Sequence, residues 1–257
     1  MRLMKRILSA AAVLALSASL LVGCSSTASS VPVSASSAAE STVSSVEETA
    51  SSAVDENEAA AAQLLNDLTG SYQELWPVIL ADEYKQTWLD DCTALVGEEN
   101  AEAAFEKLSS MVTSDVYGED AVEAYANGGG AYFCGFTNSL AILTFDGETS
   151  TISGTDKDGN VLFSHTYHYI GMEPVRGLYE FESDDADSGE FTYFFLAPDT
   201  SAETYHIEFR YGSDAEALSQ YDAGEYAYWV ASGISTDCDQ TMIDNCIELF
   251  CTENLAG

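Results

Sequence analysis

The side chains best placed to do chemistry lie in the run Thr204–Tyr211, which reads Thr-Tyr-His-Ile-Glu-Phe-Arg-Tyr. Successive side chains on a strand point to opposite faces. Tyr205, Ile207, Phe209 and Tyr211 therefore share one face, and Thr204, His206, Glu208 and Arg210 share the other. His206 and Glu208 can hold one cation between an imidazole nitrogen and a carboxylate oxygen, both ordinary zinc ligands. The same pattern also describes a polar outer face on which Arg210 neutralises Glu208, and the spacing alone leaves both open. His165 and His168 are the remaining histidines. An offset of three turns them to opposite faces, so at most one can join His206 unless a bulge intervenes. His168 shares its face with Ser164 and Thr166 and is the preferred third ligand. His165 goes with Phe163 and Tyr167, a core or cross-strand position.

Other groups carry weaker signals. Past Cys24 the cysteines are Cys92, Cys134, Cys238, Cys246 and Cys251, an odd number without a C-x-x-C pair. They read as buried free thiols, with one disulfide at most. Asp184–Glu190 has the composition of a calcium loop without the spacing of one, and reads as a solvated hairpin tip. Asp156–Asn160 reads as a hairpin turn. Tyr221, Tyr226, Tyr228 and Trp229 suit a ligand mouth or a packed core. The chain has no G-x-S-x-G elbow, H-E-x-x-H, P-loop or dinucleotide fingerprint, so binding is expected rather than catalysis.

These residues need a scaffold, and the chain divides to provide one. Residues 1–23 read as a secretory signal, with Arg2, Lys5 and Arg6 ahead of an apolar run that ends in Leu21-Val-Gly-Cys24. That ending is the pattern cleaved and lipid-modified in bacterial lipoproteins. A diacyl chain on Cys24 would anchor the protein at the outer face of a membrane. Residues 24–57 are Ser- and Ala-rich, lack a periodic apolar face and read as a flexible tether. Residues 58–257 form one domain. All 43 acidic residues lie beyond Cys24, against Lys85, Lys107, Lys157, Arg176 and Arg210 as the basic ones. Such a field repels nucleic acid and attracts cations.

Within the domain, helices are expected over 56–68, 71–80, 83–96, 100–111 and 119–126. Strands follow at 131–136, 139–145, 149–154, 161–170, 177–182, 190–196 and 203–211, with turn signals such as Asp146-Gly147 between them. Helix returns at 213–220 and 239–250. Seven short antiparallel strands behind a helical lead imply an α+β protein: a closed barrel or strongly curved sheet, closed by a C-terminal helix.

His206-Ile-Glu-Phe-Arg-Tyr-Gly-Ser-Asp214 resembles the strand and turn that carry a His-x-His pair in the ZinT family of extracytoplasmic zinc-binding proteins. Leu68-Thr-Gly-Ser-Tyr-Gln-Glu-Leu-Trp-Pro77 is similar to that family's opening segment, with Gly70, Gln73 and Pro77 in register. Arg176-Gly-Leu-Tyr-Glu-Phe181 resembles a strand shortly before the metal strand. The resemblance runs colinearly from about residue 66 to 230. It implies a lipocalin-like (calycin) barrel that binds zinc through His206, Glu208 and His168, for capture or buffering and possible delivery to a metal importer. The chain departs from the family in having Glu208 for the second histidine and Phe194 near the place of a third. The alternative is a calycin-like binding or interaction module that has lost the metal site and holds a small apolar or saccharide ligand.

Overall fold

Eight short antiparallel strands, each paired with its neighbour in sequence, close into a barrel in the computed structural model, which describes residues 56–197 and 206–256. The expected signal peptide, Cys24, all of the tether but its last two residues, and Thr204 and Tyr205 lie outside those residues. The strands are β1 (Gly70–Glu74), β2 (Ile142–Asp146), β3 (Thr151–Thr155), β4 (Val161–Met172), β5 (Tyr179–Ser183), β6 (Tyr193–Leu196), β7 (His206–Gly212) and β8 (Ala231–Ser235). β8 returns to β1, pairing Ile234 with Gln73 and Gly233 with Glu74. Closure pairs each of the eight strands with a neighbour on both sides, which is how an antiparallel sheet of short strands avoids edge-to-edge association.

Alternation along the strands sends an aromatic set inward. Phe145, Phe181, Phe194, Phe209 and Tyr211 are fully buried, with Leu143, Ile152, Phe163 and Tyr167 beside them. Phe194 sits at the centre, its ring 5.4 Å from Tyr167, 5.4 Å from Tyr211 and 5.9 Å from Phe163. The barrel is a packed core. A ligand held inside it would have to displace these rings, which bears against an interior small-ligand site.

The helices form two groups. Residues 56–67 (α1) add Ala61, Leu64 and Leu65 to the barrel's own cluster. Gly147, in the β2–β3 turn, lies so close to α1 that a Cβ there would stand 2.4 Å from Asn66 Cα. The second group comprises α2 (Leu75–Ile79), α3 (Lys85–Val96), α4 (Glu98–Ser110) and α7 (Gln240–Leu255). Leu75, Ile79, Trp88, Cys92, Leu108, Ile243, Ile247 and Cys251 pack together there, and Ile234 of β8 is the barrel's contribution. This layer covers the outer wall of β7–β8–β1. Two short helices complete the set, α5 (Glu119–Ala126) and α6 (Ala215–Leu218). The side chain of Asp239 caps α7 by accepting the Met242 N–H at 3.0 Å. The five described cysteines are free thiols, Cys92 and Cys251 with their sulfurs 4.0 Å apart. Among the described residues no helix is long and apolar enough to cross a membrane.

The structure differs from the expected elements in three places. The helix expected at 71–80 is strand over Gly70–Glu74 and helix only from Leu75. Tyr72, Leu75, Trp76 and Ile79 have helical spacing, but β1 supplies the pairing that closes the barrel between β2 and β8. Pro77 falls in the first turn of α2, where the missing N–H costs nothing. The strand expected at 131–136 is irregular, joined to the fold by bridges from Phe133 to Thr113 and Trp229. β8 was not expected at all. Ala-Ser-Gly-Ile-Ser has weak strand propensity and is buried on both faces, so it shows no alternation.

Candidate metal site on the outer wall of the barrel

β7 places its residues as the alternation requires. Ile207, Phe209 and Tyr211 join the barrel core, and His206 and Glu208 point outward toward the helical layer. Two strand steps separate them, about 6.6–6.8 Å of rise. The tips of an imidazole and a carboxylate can converge on one ion across that span. Both line a small cavity of about 70 Å³, with Leu75, Trp76 and Ile79 of α2 below and Cys246, Phe250 and Glu253 of α7 above. Residues 246, 250 and 253 recur at helical spacing, so α7 turns one stripe toward the histidine. The Trp76 and Phe250 rings meet edge to face at 4.7 Å and wall the cavity.

Glu208 also lines a second, wider cleft of about 400 Å³ next to the first. Cys134, Tyr132, Arg176, Ser232 and Asn254 contribute to it, with Trp76 and Phe250 shared between the two. Burial pushes the Cys134 thiol up to about 12, and the nearby Glu208 carboxylate adds to the effect. Burial likewise pushes Cys246 up to about 12. Both sulfurs are neutral thiols near neutral pH, poor nucleophiles and poor ligands until a metal displaces the proton.

Arg210 does not neutralise Glu208. Its side chain is fully buried, and its guanidinium donates to the carbonyls of Leu218, Gln220 and Tyr226. It also stacks 4.4 Å from the Tyr221 ring. The residue fastens the 218–226 segment to β7, so the polar-face alternative loses its counter-charge. Burial holds the guanidinium below its ordinary range.

The structure does not bring His168 to this pair. It lies on the outer face of β4, three strand spacings from β7, roughly 14 Å along the wall. Its Nδ1 is 2.8 Å from Asp184 Oδ1. His165, on the opposite face, has its Nδ1 2.8 Å from Asp185 Oδ2. Asp184 and Asp185 thus hold the two histidines from the β5–β6 loop, which was expected to be only a solvated tip. Among the described residues no three of His, Cys, Asp and Glu stand close enough together to cage a metal ion. His206 and Glu208 supply two donors, and Cys246 and Glu253 line the same cavity. Phe194, where the resemblance placed the family's missing histidine, faces the barrel interior. The residue opposite Glu208 on the outer face is Ala197, just past the end of β6, whose N–H donates to the Glu208 carbonyl at 3.0 Å.

Sequence reasoning missed the α7 side of the cavity, Cys246, Phe250 and Glu253, although their i, i+4, i+7 spacing marks one helix face. From sequence, Arg176 is only the start of a family-like strand and one of the domain's five basic residues, with no role in a site.

No protein-family model and no curated protein matches the chain. The chain is similar to the zinc(II)-bound ZinT-like domain of Streptococcus pneumoniae AdcA, at 15% identity and a TM-score of 0.45, over 72% of this chain and 89% of that one. It is also similar to zinc(II)-bound AdcA from the same organism, at 14% identity and a TM-score of 0.42, over 72% of this chain and 35% of that one.

Proposed function

We propose that this chain is an extracytoplasmic, lipid-tethered binding protein whose cargo is a divalent metal ion, zinc, held on the outer wall of the barrel by His206 and Glu208. The observation that carries the reading is the joint placement of these two side chains. They lie on one face of β7, in one cavity, with Arg210 turned away to other partners. An imidazole nitrogen and a carboxylate oxygen form a borderline-hard pair suited to zinc. Two protein donors leave open positions that water or another small ligand must fill, which suits capture and release better than permanent structural binding.

The acidic composition supports the reading by concentrating cations near the surface. Lipidation at Cys24 would keep the domain outside the membrane, and a metal importer is the natural recipient. Binding rather than catalysis fits the neutral state of the Cys134 and Cys246 thiols and the filled barrel. The test is a zinc titration of the purified chain against a chromophoric chelator, with His206→Ala and Glu208→Gln alongside. One-to-one binding that both variants weaken supports the reading. Binding that neither variant changes refutes it, and assigns the uptake to the acidic surface.

A further inference from the structure

Arg176 stands out in a chain with 43 acidic residues and only 8 basic ones. It is exposed on the wall of the wider cleft, and among the described residues it forms no ion pair with a carboxylate. Its guanidinium is instead held by rings. It lies 4.2 Å from the centre of Tyr221 and 5.8 Å from that of Tyr132, and donates to the Tyr132 hydroxyl at 3.3 Å. That single hydrogen bond leaves most of its five N–H donors uncommitted.

The backbone beneath is built to hold it there. The nearest acid in sequence, Glu173, is almost fully buried, and its two carboxylate oxygens accept the N–H groups of Val175 and Arg176, each at 2.7 Å. The Tyr221 hydroxyl lies 3.4 Å from the same carboxylate. Glu173 therefore fixes the turn that presents Arg176 without pairing with its guanidinium. A planar fork of donors, stacked on a tyrosine and lacking an acid partner, is the recognition element for a carboxylate. The cleft it lines has aromatic walls from Tyr132, Trp76 and Phe250 and holds about 400 Å³, the volume of a small organic molecule.

We propose that this cleft binds a small organic carboxylate through Arg176, and that the bound carboxylate completes the coordination of the metal held by His206 and Glu208. The second half rests on the metal reading above; the first does not. Glu208 lines both the metal cavity and the cleft, so a ligand seated against Arg176 lies beside the ion. Its other oxygen or nitrogen donors then occupy positions that the protein leaves open. The ion's charge offsets the repulsion an anion meets near so acidic a surface. The coupling is reciprocal: carboxylate tightens the metal by the factor with which metal tightens the carboxylate.

Citrate and L-histidine serve as probes, the first offering carboxylates and a hydroxyl, the second a carboxylate with an amine and an imidazole. Zinc binding to the full chain is measured at fixed free zinc, set by a metal buffer, with and without millimolar probe. Citrate binding without zinc is measured by calorimetry. The expected result is a gain in zinc affinity of about tenfold with at least one probe, within the range of ordinary coupling between sites. Arg176→Gln should lose the gain, and Arg176→Lys, which keeps charge without the fork, should recover part of it. His206→Ala should lose zinc while retaining weak, Arg176-dependent citrate binding.

Arg176-dependent citrate binding in a chain that takes no zinc at all would uphold the cleft and overturn the metal reading. Zinc binding that neither probe alters, together with no citrate binding to the zinc-free chain, would overturn the cleft and leave the metal reading standing. A gain that survives Arg176→Gln would overturn the assignment of the carboxylate to this arginine.

Discussion

Ala197→His should add a donor to the site. Ala197 faces Glu208 across the β6–β7 ladder, its N–H on the Glu208 carbonyl at 3.0 Å. With Phe194 inside the barrel, alternation puts Ala197 on the outer face. Directly opposed residues have Cβ atoms about 4.5–5.5 Å apart, so an imidazole at 197 and the carboxylate at 208 can reach one ion. Each donor then meets zinc at about 2.0–2.2 Å. Ala197 is only 8% exposed, so the larger ring must make room. Overpacking of that kind costs about 1–3 kcal/mol, a fall in Tm of roughly 2–12 °C for a domain of this size. Against that, zinc affinity should rise by about 10–100-fold, at least what an outer-sphere partner is worth at a metal site. The assay is a chelator competition titration of wild type, Ala197→His, and Ala197→His in the His206→Ala background, with a melting curve for each. A folded Ala197→His chain with unchanged zinc affinity would refute the placement of the site, as would a gain that persists without His206.

Phe194→His provides the contrast: the side chain faces the packed barrel, so zinc affinity should stay at the wild-type value. Truncating that ring with Phe194→Ala should cost about 3–5 kcal/mol, read from denaturant unfolding. A loss under 1 kcal/mol would contradict the filled interior. Gly147→Ala would bring a methyl to 2.4 Å from Asn66 Cα and 2.6 Å from the Leu65 carbonyl, main-chain atoms that no side-chain rotation can relieve. Faster amide exchange in α1 is expected, with a cost of about 1–3 kcal/mol; unchanged exchange would contradict the contact. Asp91 has its carboxyl pushed up by burial and by Glu248, Asp244 and Asp90, and its buried Oδ2 has no hydrogen-bond partner among the described residues. A raised carboxyl favours the folded state below its ordinary range and opposes it as pH climbs through the folded value. Asp91→Asn should therefore raise Tm near neutral pH and lose its advantage below about pH 4; an equal or lower Tm at neutral pH would contradict this.

The barrel was largely legible in the sequence because most of its strands announce themselves. Phe163, Tyr167, Phe209 and Tyr211 alternate with polar residues, and Asp146-Gly147 marks a tight turn. β1 and β8 were not legible for opposite reasons. Tyr72 to Ile79 carries a helical spacing that pairing overrides, and Ala231–Ser235 has too little side chain to show any period. His206 and Glu208 were readable because the two-residue strand period is strict. What opposes them is a matter of tertiary packing: α7 turning Glu253 and Cys246 over β7, and Arg210 turning toward the Leu218 and Tyr226 carbonyls. His168 could not be placed from sequence because its distance from His206 depends on how many strands intervene around the barrel. The role of Arg176 was illegible for a similar reason, since its surroundings come from Tyr132 and Tyr221, which lie 44 and 45 positions away on either side.

The most direct test of the metal reading is an anomalous difference map at the zinc edge from crystals of the chain grown with zinc. A single strong peak is expected at the outer wall of the barrel, about 2.0–2.2 Å from a ring nitrogen of His206 and a carboxylate oxygen of Glu208. A peak held instead by His168 and Asp184, or by His165 and Asp185, or scattered weak peaks on the acidic surface with none at His206, would contradict it.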